Sequence, residues 1–419
     1  MSFCCRRTAT FSFILAFVVH TVHAAPAIRT GSASEARNYY TRLAKELQFE
    51  LTEGVTTLDS LLTFIGYPLT GAQLESTDPA VLMSPQRAAA AINGLSVLGM
   101  NGATLREGDI IATRFFAPKI ANVNIAPPVP GWRKLVRLRV RPNSSAVRVG
   151  IESVIILFNY LSAQRNPFSG RSINTQVMLI APVREERLYW MDFDPEGKLS
   201  LALNASFDAA DLPDGRNQNY FVPDGCNTCH GSIGNLTPPM VNYLDTDHWF
   251  DRLNDDFAAV KAADMPIIFD AQTNDTSQSA FKEAFDVIRR FNEEALFQNN
   301  SVQAESFETE AARTWLKIHA NSDQHFPPVA RAFSINSAPT WQASEAVGLG
   351  KLNRYCFRCH GTVRFSVFDR SAVVDVERLG NILQRIRPGE QQKNIKMPPD
   401  RNLNKDELEA LEDFLNSLQ

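Results

Sequence analysis

Two five-residue strings of the form Cys-x-x-Cys-His constrain this chain more than any other feature of its sequence. They are Cys226-Asn227-Thr228-Cys229-His230 and Cys356-Phe357-Arg358-Cys359-His360, and a glycine follows each. The chain of 419 residues has six cysteines, and the other two, Cys4 and Cys5, lie near its beginning. This leaves no cysteines for a disulfide framework, which indicates that the four thiols serve another purpose.

The spacing of these strings is typical of covalent haem attachment. Two thiols three positions apart lie on one helical turn, where each can form a thioether with a haem vinyl group, and the adjacent histidine can bind the iron. A four-cysteine zinc site and a thioredoxin-like dithiol are the alternatives, but neither explains a histidine after each cysteine pair. We therefore expect two covalently bound haems c, held by Cys226, Cys229, His230, Cys356, Cys359 and His360.

The first 24 residues have the pattern of a signal peptide. Arg6 and Arg7 are positively charged, an apolar run extends from Phe11 to Val19, and small residues suitable for cleavage end at Ala24. An uncleaved membrane anchor is the alternative, but the run is shorter than the roughly 20 apolar residues that span a bilayer. We expect export to the periplasm and no transmembrane anchor in the mature chain.

With these motifs the chain resembles the di-haem c-type cytochromes, and residues 341–419 resemble a class I cytochrome c domain. In that family a helix leads into the haem motif, a later methionine binds the iron, and a final helix packs across the first. Here Trp341 to Tyr355 corresponds to the leading helix, and Met397 to the methionine. The resemblance implies that Met397 is the sixth ligand of the second haem. The stretch from His360 to Met397 is short for the family, so we expect trimmed peripheral helices.

The final helix is also predicted by its own pattern, from Asn404 to Leu418. Asn404 is a suitable N-cap, and Glu407 stands where a capping box needs it. An apolar stripe then follows at helical spacing, formed by Leu408, Leu411, Leu415 and Leu418.

The first haem has several candidate sixth ligands. His248 lies in an aromatic segment after His230, a placement similar to the distal histidine of bacterial di-haem cytochrome c peroxidases. Met240 is an alternative, and so is an open sixth position. His319 and His325 are weaker candidates, because His319 falls on a predicted core helix, 305–320, and His325 on a loop.

A β-rich region precedes the haem motifs. Residues 35–66 have helical character, but the hydrophobic period then changes to that of strands. Alternating apolar residues predict strands at 136–140 and 147–151, joined by a turn. Further strands are predicted at 175–180, 188–193 and 198–203, with a tight turn at 194–197 between the last two.

Three arginines alternate with the apolar residues of the first predicted strand. They are Arg137, Arg139 and Arg141. Alternation is typical of a half-buried strand, so we expect the arginines to form a solvated sheet face. Docking of an anionic partner or of haem propionates is the alternative.

These patterns together predict an α+β multidomain chain, with a β-rich N-terminal domain followed by mainly α-helical cytochrome c-type haem domains. The expected units are the signal peptide at 1–24, a helical segment at 25–104, the β-rich domain at 105–215, the first haem domain at 216–340 and the second at 341–419.

The leading hypothesis for function is the transfer of single electrons between periplasmic redox partners. One alternative is a di-haem peroxidase- or oxygenase-type enzyme that acts on a small-molecule oxidant at an open first haem. Another is a β-domain binding module with an attached redox sensor. The formal net charge of −4 and the lack of a long basic block argue against a nucleic-acid partner.

Overall fold

The protein contains helices and one antiparallel sheet, which confirms the mixed α+β content predicted from sequence. The structure is a computed structural model. It describes residues 31–67, 69–77, 109–117, 131–160, 171–182, 188–203, 221–230, 289–298, 313, 316, 340–360, 367, 369–387, 403 and 405–418. The predicted signal peptide therefore lies outside the described residues, and the predicted helix 305–320 does so except at positions 313 and 316.

The sheet has six strands that follow one another in sequence order, each antiparallel to the next. The strands are β1 (Ile110–Ala117), β2 (Gly131–Arg139), β3 (Ser153–Tyr160), β4 (Asn174–Ile180), β5 (Leu188–Phe193) and β6 (Leu199–Ser200). The predictions for 136–140, 175–180 and 188–193 are thus confirmed as β2, β4 and β5, with β2 beginning earlier than predicted. The predicted turn is also present, because the Gly197 N–H donates to the Asp194 carbonyl at 2.9 Å.

Two predicted strands differ from the structure. Residues 145–148 form a short helix, α4 (Ser145–Arg148), where the alternation predicted a strand. The helix buries Ala146 and leaves Val147 42% exposed, so the alternating residues do not share one buried face, and Gly150, with φ +81°, lets the chain turn sharply before β3. The last strand is shorter than predicted, because Ala202 bridges to Phe221 rather than continuing β6.

Among the described residues, helices both precede and follow the sheet along the sequence. Before it come α1 (Ala33–Leu47), α2 (Leu58–Phe64) and α3 (Gly71–Ser76). After it come α5 (Asp224–His230), α6 (289–298), α7 (Ala346–His360), α8 (Arg370–Val374), α9 (Val376–Ile386) and α10 (Lys405–Asn416). Within the described part of the chain, no helix combines the length and the apolar character needed to cross a bilayer.

Helix α1 covers the open edge of the sheet with two tyrosine hydroxyls. The Ser32 side chain caps the helix, and its buried face includes Tyr39 and Tyr40. The hydroxyl of Tyr39 accepts the backbone N–H of Trp190 at 2.8 Å, and that of Tyr40 accepts the backbone N–H of Asp192 at 3.3 Å. The Tyr39 contact satisfies a β5 backbone group that lies beyond the end of β6. Tyr40 instead joins β5 to β6, because its hydroxyl also donates to the carbonyl of Ser200, the residue paired with Asp192, at 3.0 Å.

Two of the three arginines that the sequence predicts to face solvent are buried. Arg137 is 5% exposed and Arg141 7% exposed, whereas Arg139 is exposed as predicted. Nε of Arg137 lies 2.6 Å from Oε2 of Glu294, and Nη1 of Arg141 donates to Oδ2 of Asp109 at 3.1 Å. The prediction is wrong because α6 and the residue preceding β1 cover these positions and supply the carboxylates that buried cations need.

A buried lysine links the sheet to α3. Lys134 of β2 is fully buried, and its Nζ donates to the carbonyl oxygens of Leu74, Glu75 and Thr77 at 2.5, 2.9 and 2.7 Å. The last carbonyl groups of a helix have no partner within the helix, and a cation at its C-terminal end satisfies them. The contact therefore fixes α3 on the sheet.

The C-terminal helices pack as the sequence predicts for the leading and final helices. Helix α10 contacts α7, and Leu411 and Leu415 of the predicted leucine stripe are fully buried. The predicted N-cap Asn404 lies outside the described residues. Helices α8 and α9 lie between His360 and Met397, and much of the rest of that stretch is outside the described residues, so the trimming of peripheral helices stays a prediction.

Candidate haem-attachment sites

The first motif lies entirely on a helix. Helix α5 begins at Asp224 and ends at His230, so Cys226 and Cys229 are separated by one turn and lie on the same side of it. Cys226 is half-buried, is not in a disulfide and packs against the hydrophobic core. For Cys229 and His230 the structure describes the helical backbone only.

The first motif is joined to the edge of the sheet. Just before α5, the N–H of Val222 donates to the carbonyl of Leu201 at 3.0 Å, beside the bridge made by Phe221. Within the motif, Oδ1 of Asn227 accepts the indole N–H of Trp190 at 2.9 Å. The sheet and α1 therefore determine where the first pair of cysteines lies.

The second motif ends a longer helix. Cys356, Cys359 and His360 fall in the last turns of α7, with the two cysteines again one turn apart. Cys356 is half-buried, is not in a disulfide and packs against the core, whereas only the helical backbone is described for the other two. Lys351, one turn earlier, donates to the Ala410 carbonyl at 3.1 Å and ties this helix to α10.

The two motif helices contact each other. Helices α5 and α7 are far apart in sequence, yet they pack together in the fold. The structure thus brings both Cys-x-x-Cys-His strings into one region. The sequence indicated each motif separately and gave no measure of the distance between them.

The predicted sixth ligands are not located by the structure. Met397, His248 and the alternatives Met240, His319 and His325 lie outside the described residues. Among the described residues there is no cluster of three or more histidine, cysteine, aspartate or glutamate side chains suited to a metal ion. The ligand assignments therefore stay predictions.

A buried polar row runs along the sheet close to the first motif, and the sequence did not predict it. Nδ2 of Asn159 donates to Oδ1 of Asn174 at 3.0 Å, and Nδ2 of Asn174 donates to Oδ1 of Asp192 at 2.8 Å. All three side chains are buried, and within the described residues Oδ2 of Asp192 accepts no hydrogen bond. The only available signal was a single acid inside the apolar run of β5.

Burial dominates the electrostatics of this row. Loss of water raises the pKa of Asp192 well above its usual value, an effect opposed by the hydrogen bond from Asn174 and increased by Asp194. The pKa of the Tyr40 hydroxyl is also raised. Burial is the largest cause, the nearby Asp192 adds to it, and Cys226 contributes less. Tyr40 is therefore close to the buried acid, whose backbone N–H it accepts, and to the first motif.

We expect Asp192→Asn to stabilise the protein at neutral pH. Because the folded state holds the Asp192 proton more tightly than the unfolded state, stability is lost as pH rises above the unfolded pKa, near 3.8, towards the raised folded pKa. Each unit of that difference costs about 1.4 kcal/mol at higher pH, and an amide avoids this cost.

Urea unfolding of parent and variant between about pH 4 and pH 8 measures this effect. The stability advantage of the variant should grow with pH and vanish at the acid end. Glu196→Gln removes an exposed acid from the adjoining turn and is the matched control, for which we expect little change at any pH. A constant difference between parent and Asp192→Asn across the pH range would contradict the prediction.

In comparisons with known proteins, no protein-family model, no curated protein and no solved structure matches the chain.

Proposed function

We propose that this protein is an exported c-type cytochrome that carries two covalently attached haems and passes single electrons between periplasmic redox partners. The observation that carries the proposal is the contact between the two Cys-x-x-Cys-His helices. Two motif helices in contact suit a pair of neighbouring haems. A four-cysteine zinc site could also use both cysteine pairs, but it leaves the histidine after each pair without a role, and a dithiol site needs only one pair.

The described cysteines fit covalent haem attachment. Cys226 and Cys356 are half-buried and not in a disulfide, and each packs against apolar side chains. A thiol that is accessible from one side can form a thioether, and the apolar surroundings suit the haem ring, which is itself largely apolar. The helical spacing places each second cysteine on the same side of its helix as the first.

The proposal assigns each motif residue a role. Cys226 and Cys229 hold the first haem and Cys356 and Cys359 the second, while His230 and His360 bind the two irons. Met397 is the proposed sixth ligand of the second iron and His248 that of the first. The haem iron supplies the one-electron chemistry, and the protein orients the ring and limits its contact with water.

The proposal extends the mixed α+β content to a particular domain order. The β-rich part is proposed to precede two mainly helical haem domains, 216–340 and 341–419. The contact of α10 with α7 supports the second of these, because a final helix that packs on the motif helix is what the class I cytochrome resemblance implies.

The experiment is to express the protein with a periplasmic haem-attachment system and to measure its mass and haem content. We expect the mature chain to exceed its polypeptide mass by two haems that acid-acetone does not extract, because thioether bonds hold them. Replacing Cys226 and Cys229 together with serine should remove one haem and leave the other, and the matched Cys356/Cys359 double variant should do the same.

Two results would refute this assignment. A mass equal to that of the bare polypeptide would exclude covalent attachment. Bound zinc released on reaction of the four thiols would show that the cysteines serve a structural metal.

A further inference from the structure

One hydrogen bond connects the sheet directly to the interior of the first motif. Trp190 of β5 is 5% exposed, and its indole N–H donates to Oδ1 of Asn227 at 2.9 Å. The backbone of Trp190 is fixed independently, because its N–H donates to the Tyr39 hydroxyl at 2.8 Å. The indole is therefore held by the sheet, by α1 and by its own burial.

The acceptor lies between the two cysteines of the motif. Asn227 follows Cys226 immediately, and its backbone N–H donates to the Pro223 carbonyl at 2.9 Å. Its side chain therefore extends from the helical turn that connects both attachment points. The residue at the same place in the second motif is Phe357, whose side chain has no acceptor. This kind of connection is thus available to the first motif and not to the second.

We propose that Trp190 is a positioning residue for the first haem, which it orients by fixing the attachment turn through Asn227. This inference rests on the proposed function, since it concerns a haem held by Cys226 and Cys229. It also gives the sheet a role in a cytochrome: β5 forms one side of the first haem site. Hydrogen bonds and burial next to a haem set its reduction potential, so this contact tunes one haem of the two.

The segment just before α7 provides a matched tryptophan. Trp341 is also 5% exposed, but it packs on Phe414 of α10, with ring centroids 5.9 Å apart. It therefore offers the same residue type and the same burial near the other motif. A substitution there reports the effect of losing a buried indole without disturbing the contact to Asn227.

The test is a redox titration of the two-haem protein and of the Trp190→Phe, Asn227→Ala, double and Trp341→Phe variants. Trp190→Phe keeps an aromatic ring and removes the donor, while Asn227→Ala removes the acceptor. We expect each to shift the first haem's potential so that its reduced-to-oxidised ratio changes about threefold to tenfold, up to about 59 mV for one electron. The second haem's potential should not move.

The double variant distinguishes a specific contact from general damage. Because both single changes break the same hydrogen bond, the double variant should shift the first haem no further than either single variant. Trp341→Phe should leave the first haem's potential unchanged. Loss of the first haem alone in Trp190→Phe would also support a positioning role, and if that variant fails to fold, Asn227→Ala decides.

Several outcomes overturn the inference. Unchanged potentials in Asn227→Ala, equal shifts of both haems, or additive shifts in the double variant would show that the contact does not position the first haem. These results differ from failure of the proposed function, in which the parent protein itself would carry no covalent haem.

Discussion

Glu294→Ala is expected to lower the free energy of unfolding by about 3–5 kcal/mol, the usual cost of removing one partner from a buried ion pair. Arg137, its partner, lies inside the protein, and Nε is 2.6 Å from Oε2 of Glu294. Burial lowers the pKa of Arg137 and the Glu294 charge opposes that effect, so loss of the carboxylate leaves a buried cation poorly compensated. The hydroxyl of Ser153, which donates to Oε1 at 2.8 Å, loses its acceptor as well.

Urea unfolding measures this loss, with an exposed ion pair as the matched control. Arg37 and Glu53 are 3.1 Å apart, but their side chains are 60% and 45% exposed. Glu53→Ala should therefore cost about 0–1 kcal/mol. Replacing both members of the buried pair, by Arg137→Met with Glu294→Leu, should cost less than Glu294→Ala alone, because no buried charge is left behind. Equal losses in the two glutamate variants would contradict the prediction.

The same ion pair shows why the sequence predicted the strand but not its surroundings. The alternation of apolar residues and arginines predicts that the side chains of β2 point to two faces, because a strand repeats every two residues. It does not report whether another layer covers the polar face. Here that layer is α6, which follows the first motif in sequence and contributes Glu294. Arg137 and Glu294 are far apart in sequence, so the pattern of neither segment indicates that the two residues pair.

The candidate site likewise combines features that the sequence predicts with contacts that only the fold shows. Both cysteine motifs could be predicted because haem attachment requires all of its groups within five consecutive residues. The contact between the motif helices and the bond from Trp190 to Asn227 join segments that are distant in sequence. Asp192 was missed for a related reason: within the described residues, the side chain that donates to its carboxylate is Asn174, which lies on the neighbouring strand. Sequence spacing therefore predicts the attachment chemistry that we propose, and the fold shows the surroundings of the two motifs.

Gly348→Ala and Gly350→Ala are expected to change stability in opposite directions, although both lie on α7. Alanine forms helix better than glycine by about 1 kcal/mol, so Gly350→Ala should stabilise the protein by up to that amount. Apart from the adjoining helical backbone, no atom of the described residues lies within 4 Å of a Cβ at this position. A methyl group at Gly348 would instead overlap the ring of Phe414. That ring stacks on Trp341 and cannot move away without disturbing the contact between α7 and α10. Overpacking of this kind costs about 1–3 kcal/mol.

Both substitutions gain the same helix propensity, so urea unfolding should separate the two variants by the overpacking cost alone, about 1–3 kcal/mol. A third variant tests the cause: Phe414→Leu provides space beside Gly348, so adding it to Gly348→Ala should recover part of the lost stability, whereas Phe414→Leu in the parent should only destabilise. If Gly348→Ala proves as stable as Gly350→Ala, α10 does not lie directly on α7 at this position. The packing of the final helix across the second motif helix, which the fold and the class I resemblance both require, would then be wrong.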